Sequence, residues 1–149
     1  MHVVLLEPEI AGNTGNIGRS CVGTDTTLHL IGPRGFELDS ARIRRAGLDY
    51  WPKLDLQLHA SWDAFKAQLP AKASLLFFSA EGGSDFWQAP YEADSYLIFG
   101  KESVGLPADI RQEYKEHLYR VPTNDKIRSL NLSSCAAVVL FEGMRRLRS

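Results

Sequence analysis

The 149-residue sequence predicts a single α/β domain built on an open, largely parallel sheet with helices on both faces. Three observations lead there. Strand-like and helix-like segments alternate along the whole chain. The strongest strand candidates, Leu75-Leu76-Phe77-Phe78 and Tyr96-Leu97-Ile98-Phe99, are apolar at every position, as strands are when both sheet faces are covered. No repeat, low-complexity tract or linker divides the chain, and its length is ample for one core.

Residues 2–6 form a short apolar run stopped by Glu7-Pro8, a buried strand. A helical pattern through Ile17, Cys21 and Val22 covers 13–24, opened by glycine and asparagine. Residues 27–31 give a second strand ended by Gly32-Pro33. Ser40 can cap a short basic helix over 41–46, with Gly47 at its end. Residues 54–58 alternate like a half-exposed strand, and Ser61 precedes Trp62, Phe65 and Leu69 at helical spacing. Strands at 74–79 and 96–99 follow. Pro107 marks a helix start, 118–121 is a further strand, and 132–147 is the final helix.

The 17 basic and 18 acidic residues nearly cancel, so a nucleic-acid surface, if present, must be local. Two local clusters exist: Arg42, Arg44 and Arg45, and Arg145, Arg146 and Arg148. Each is equally well explained as a solvated helix face. Cys21 and Cys135 have neither metal-ligand spacing nor a disulfide framework, and are expected to be buried thiols in a reducing compartment. No metal is expected. The opening residues carry no basic leader, and no stretch approaches a membrane span, so a cytoplasmic protein is expected.

Three segments could carry chemistry. Gly12-Asn13-Thr14-Gly15-Asn16-Ile17-Gly18-Arg19 follows the first strand, where glycines let a backbone approach a ligand and a helix N-terminus favours an anion. Its glycines recur every third residue, which is neither the dinucleotide fingerprint nor a P-loop; an ordinary turn with an asparagine cap is the competing explanation. The second, from Leu97 through Gly100-Lys101-Glu102-Ser103 to Pro107, leaves an apolar strand at the end where open α/β sheets bind ligands. Glu102 stands there as a ligand contact, or as an exposed loop carboxylate or helix-capping group. The third, Val121-Pro122-Thr123 followed by Ile127-Arg128-Ser129-Leu130-Asn131-Leu132-Ser133-Ser134, crowds more polar groups onto a helix start than capping requires. The helix beyond is apolar nearly all round, which calls for burial in the core or against another subunit.

In this order and spacing, N-T-G-N-I-G-R, L-I-F-G-K-E-S-V-G-L-P and V-P…I-R-S-L-N-L-S-S-C-A-A resemble the three motifs of the SPOUT class of RNA ribose 2′-O-methyltransferases. The opening L-E-P-E-I-A-G-N-T-G-N and the stretch R-I-R-R-A-G-L-D-Y-W are similar to its YibK-like branch, whose members methylate the wobble nucleotide of leucine tRNAs. The resemblance implies a deep C-terminal trefoil knot, S-adenosylmethionine as methyl donor, tRNA as substrate and a homodimer with the site at its interface. It places Phe78, Gly100, Val121, Ser129 and Leu130 around the cofactor, and Asn13, Arg19, Glu102, Ser129 and Asn131 around the reacting ribose. Lys101 occupies a variable position and receives no role. Ser134 and Cys135 stand where related sequences often have asparagine and alanine.

Of these, Arg19 is expected to hold the 2′-hydroxyl and stabilise the developing alkoxide, since a guanidinium has no lone pair with which to act as base. Arg42, Arg44 and Arg45 are the expected phosphate contacts, followed by Arg128 and the C-terminal arginines. The same chemistry on another tRNA position or on ribosomal RNA, a non-catalytic RNA-binding knot protein, and a Rossmann-type nucleotide enzyme are the competing assignments.

Overall fold

The computed structural model describes residues 1–149 except Ser40, Arg42, Arg44 and residues 46–48. Seven strands form one sheet: β1 (His2–Leu6), β2 (Thr27–Ile31), β3 (Leu56–His59), β4 (Leu75–Phe78), β5 (Ser84–Asp85), β6 (Tyr96–Phe99) and β7 (Leu118–Arg120). Their order is β3-β2-β1-β6-β4-β7-β5, and every pairing is parallel. The helices whose residues are all described are α1 (Ala11–Val22), α2 (Trp62–Ala67), α3 (Ala108–Glu113) and α4 (Leu132–Arg148).

Alternate side chains of the central strands supply two cores. Val3, Leu5, Leu28, Leu30, Leu97 and Phe99 pack with Ile17 and Cys21 of α1 and with Val139 and Leu140 of α4. Val4, Leu6, Ile31, Phe77 and Ile98 pack with Phe65 of α2 and Ile110 of α3. Burial on both faces is why β4 and β6 carry no polar alternation. The expected architecture is therefore present, with all strands parallel rather than most.

Three differences from the expected elements have physical causes. Helix α1 begins at Ala11, so the glycine-rich segment is helix rather than turn. Gly18 permits this packing: a Cβ there would stand 2.9 Å from the Trp51 ring. The strand expected at 54–58 lies at Leu56–His59, because Leu54 ends a 3₁₀ turn over Trp51–Lys53. The two-residue β5 was not anticipated; a strand that short has no periodicity to detect. Ser61 caps α2 by accepting from the Ala64 N–H at 3.1 Å. The basic helix expected over 41–46 falls partly outside the described residues; of its arginines only Arg45 is described, and it is exposed.

On the α2 face, three histidines form a row across β1, β2 and β3. His2 Nδ1 lies 3.0 Å from His29 Nε2, and His29 Nδ1 lies 2.9 Å from His59 Nε2. Phe65 packs edge-on against His29 and His59. Beside the row is a hollow of about 250 Å³ whose polar rim includes Thr27, Asp55 and Gln57. Among the described residues no cluster could hold a metal ion, and no helix is long and apolar enough to cross a membrane.

Candidate active site

The strand order reverses beside β1, whose neighbours are β2 on one side and β6 on the other. Loops leaving the C-terminal ends of parallel strands diverge at such a point and leave a crevice. Here the loops after β1, β4, β6 and β7 enclose a cleft of about 540 Å³, within the roughly 300–1,000 Å³ of small-molecule sites.

Its floor depends on a missing side chain. A Cβ at Gly100 would overlap the backbone of Gly105 and Leu106. Only glycine allows the chain leaving β6 to run this close to the returning 105–106 segment, which is tied back by the Gly105 N–H donating to the Lys101 carbonyl at 2.8 Å. Gly105 itself takes φ +71°. Phe78 supports the floor from below; it is 4% exposed and stacks on Phe99 with centroids 5.2 Å apart.

One wall is a double clasp between the turn after β1 and the turn after β6. The Glu102 carboxylate accepts from the N–H groups of Glu9 at 2.8 Å and Ile10 at 3.0 Å. It also accepts from Asn13 Nδ2 at 3.4 Å. Helix α1 has Ile10 at its N-cap, which offers no side-chain oxygen, so Glu102 supplies the missing cap from 92 residues away. A carboxylate there also complements the positive end of the helix dipole. In return, Glu9 accepts from the Ser103 N–H at 3.0 Å and hydroxyl at 2.6 Å. These two bonds hold its carboxyl below the usual carboxylate range. Lys101 completes the join with an ion pair to Glu7 at 3.1 Å, and Glu7 adopts φ 52°.

The segment before α4 forms another part of the lining. Asn131 caps that helix, its Oδ1 accepting from the Ser133 N–H at 3.0 Å and hydroxyl at 2.7 Å. Ser129, Leu130, Leu132 and Cys135 extend the wall, with Val121 at the end of β7. The Cys135 thiol is half-buried, and desolvation pushes its pKa up to about 11; the Cys21 thiol, buried in the core, is pushed to about 12. Both are therefore protonated near neutrality and are poor nucleophiles.

Asn13, Phe78, Gly100, Glu102, Val121, Arg128, Ser129, Leu130 and Asn131 thus all border one cleft, although they come from four loops. Arg19 does not border it. It is exposed on α1, with its guanidinium 5.6 Å from the Tyr50 ring centroid. Tyr50 is itself fixed by donating to the Gly15 carbonyl at 2.6 Å. Arg42 and Arg44 lie outside the described residues, and Arg45 lies away from the cleft lining.

Sequence reasoning missed Glu81, Arg111 and Arg120 at the cleft. Arg111 pairs with Glu81, and Arg120 pairs with Asp85 at 3.1 Å. Neither pair has a spacing that marks it, since each joins segments about thirty residues apart. Arg128 is exposed on the rim and has no ion-pair partner among the described residues.

The SpoU rRNA Methylase family model matches residues 1–141. A tRNA (cytidine(34)-2′-O)-methyltransferase of Burkholderia cenocepacia is 44% identical over 147 residues, covering 97% of this chain and 94% of that relative. A solved structure from a study of 2-OH methylation of C/U34 on tRNA superposes with a TM-score of 0.95 at 41% identity, covering 99% of this chain and 95% of that one. An AdoMet-bound rRNA methyltransferase from Sinorhizobium meliloti superposes with a TM-score of 0.86 at 25% identity, covering 99% of this chain and 57% of that one.

Proposed function

The chain belongs to the SpoU rRNA Methylase family, and on that premise we propose that it transfers a methyl group from S-adenosylmethionine to the ribose 2′-hydroxyl of nucleotide 34 in leucine tRNAs. Its parallel α/β sheet is the SPOUT fold typical of trefoil-knot methyltransferases. The observation that carries the proposal is the meeting of Asn13, Glu102 and Asn131 around the floor that Gly100 allows to form. The relatives named for methylation of cytidine 34 or C/U34 support the choice of position.

The residues present fit the donor. Gly100 lets the 105–106 backbone close in to shape the floor, Leu130 and Val121 offer apolar contact, and Ser129 offers a hydroxyl at the rim. S-adenosylmethionine supplies a sulfonium methyl that is already electrophilic, so the protein need provide no covalent catalyst. What the chain must provide is alignment of the 2′-oxygen and stabilisation of the charge it develops. Asn13 and Asn131, both lining the cleft, serve the first task. Arg19 performs the second by hydrogen-bonding the 2′-oxygen and a neighbouring phosphate, while the proton leaves to solvent or phosphate.

Arg19 lies outside the cleft of its own chain, so the proposal includes a homodimer in which a second copy completes the site. Helix α4 supports this: Val138 and Phe141, three residues apart and so neighbours on the helix surface, are 42% and 55% exposed. Large apolar side chains exposed side by side suit a partner surface. Arg45 and Arg128 serve as phosphate contacts, with Arg42 and Arg44 beside the first in sequence.

Mass spectrometry of tRNA nucleosides from cells with and without this protein tests the proposal. Loss of 2′-O-methylation at nucleotide 34 of leucine tRNAs is the expected result; unchanged tRNA methylation refutes it. In vitro, a tRNA with deoxyribose at the target should accept no methyl.

A further inference from the structure

We infer that Glu9 is a positioning residue for methyl transfer: its carboxylate locks the turn that carries Glu102 and thereby fixes the start of α1. The inference rests on the methyltransferase assignment and extends it to a residue outside the three motifs' polar set.

The argument begins with an imbalance. Glu9 is exposed to solvent, where an isolated carboxylate gains little from a surface contact. Yet its Oε1 receives two donors from one residue, the Ser103 N–H at 3.0 Å and hydroxyl at 2.6 Å, across 94 positions of sequence. The backbone N–H of the same Glu9 donates to Glu102 at 2.8 Å. Residues 9 and 102–103 therefore hold one another reciprocally, side chain to backbone in both directions.

Glu102 cannot serve as a free base in this arrangement. Both of its oxygens are engaged, Oε2 by Glu9 and Oε1 by Ile10 and Asn13. Its place is set by the 101–103 turn, and that turn is held to the β1–α1 loop by Glu9 and by the Lys101–Glu7 pair. Loosening Glu9 lets the turn shift, and the shift passes through Glu102 to Asn13 at the cleft and to α1, which carries Arg19. Misplacement of this sort lowers the rate of an alignment-limited reaction far more than it weakens binding. A purely structural surface contact would leave turnover untouched.

The test measures single-turnover methyl transfer to tRNA, S-adenosylmethionine affinity by calorimetry, and melting temperature for the wild type, Glu9→Ala, Glu9→Gln, Ser103→Ala and the Glu9→Ala/Ser103→Ala pair. Glu9→Ala should lower the transfer rate about tenfold or more, with affinity within about twofold and little change in melting temperature. Glu9→Gln keeps an acceptor oxygen and should recover most of the rate. The double variant should be no slower than Glu9→Ala alone, since both changes open one clasp. A wild-type rate in Glu9→Ala, a Glu9→Gln no better than Glu9→Ala, or fully additive losses would each overturn the inference. An inactive wild type would instead refute the methyltransferase assignment itself.

Discussion

His29 and His59 face each other across β2 and β3 with ring nitrogens 2.9 Å apart, and only one proton can occupy that gap. His29 shares its other nitrogen with His2, 3.0 Å away, so a second positive charge in the row meets a neighbour at hydrogen-bond distance. Burial first, and then the charges of His2 and His59, lower the His29 pKa from 6.5 to about 4, opposed by Asp55. Burial lowers His59, and burial with the N-terminal ammonium lowers His2.

The direction of the pH effect follows. Between pH 6.5 and about 4 the unfolded chain binds a proton at residue 29 that the folded chain refuses. Stability is therefore fully present above about pH 6.5, falls as pH drops through that window, and levels off below it, by up to about 3 kcal/mol for this group. Denaturant melts from pH 8 to pH 4 check this. His29→Asn should flatten the slope over the window; an unchanged slope would show that the row does not control acid stability.

Arg19→Ala should abolish methyl transfer, by about a hundredfold or more, while S-adenosylmethionine affinity stays within about twofold. Arg19 borders no part of its own chain's cleft, so donor binding has no need of it. Mixing Arg19→Ala with a cleft variant such as Gly100→Ala should restore up to one active site per mixed dimer.

Gly100→Ala should eliminate donor binding in calorimetry and lower the melting temperature. The added methyl would overlap the Gly105–Leu106 backbone, which cannot rotate aside as a side chain can. Overpacking typically costs about 1–3 kcal/mol, and a clash with backbone belongs at the upper end. Normal binding by this variant would show that the floor is more open than the packing indicates.

Phe141→Glu should convert the protein to a monomer in analytical ultracentrifugation. Phe141 is the most exposed of the apolar side chains on α4, so the substitution leaves the core of the chain intact. A monomer that binds S-adenosylmethionine but transfers no methyl is the expected outcome.

Much of the fold was legible because burial on two faces leaves an unmistakable mark: Leu75–Phe78 and Tyr96–Phe99 lie where apolar runs place them. The cleft was legible through Gly100 and the polar start of α4, since a bare backbone and surplus capping groups are local features. What local features could not show was the use made of Glu102. Its alternative as a helix cap was visible, but the helix it caps begins 91 residues earlier, and no spacing rule spans that distance. Glu9 was silent for the same reason. The glycines of α1 misled because one of them, Gly18, answers to Trp51, a partner that only folding brings near.

The position of β1 in the sheet has a consequence for biosynthesis. Strand β1 lies at the sheet's interior, and its pairing with β6 sets His2 beside Tyr96, which is translated 94 residues later. One flank of β1 therefore stays bare until those residues have been added, and such distant pairing slows folding. A nascent chain in that interval presents an unpaired, largely apolar strand, the kind of surface that chaperones shield and that aggregates form around. Expression should thus be more sensitive to translation speed and chaperone supply than the modest size of the domain suggests.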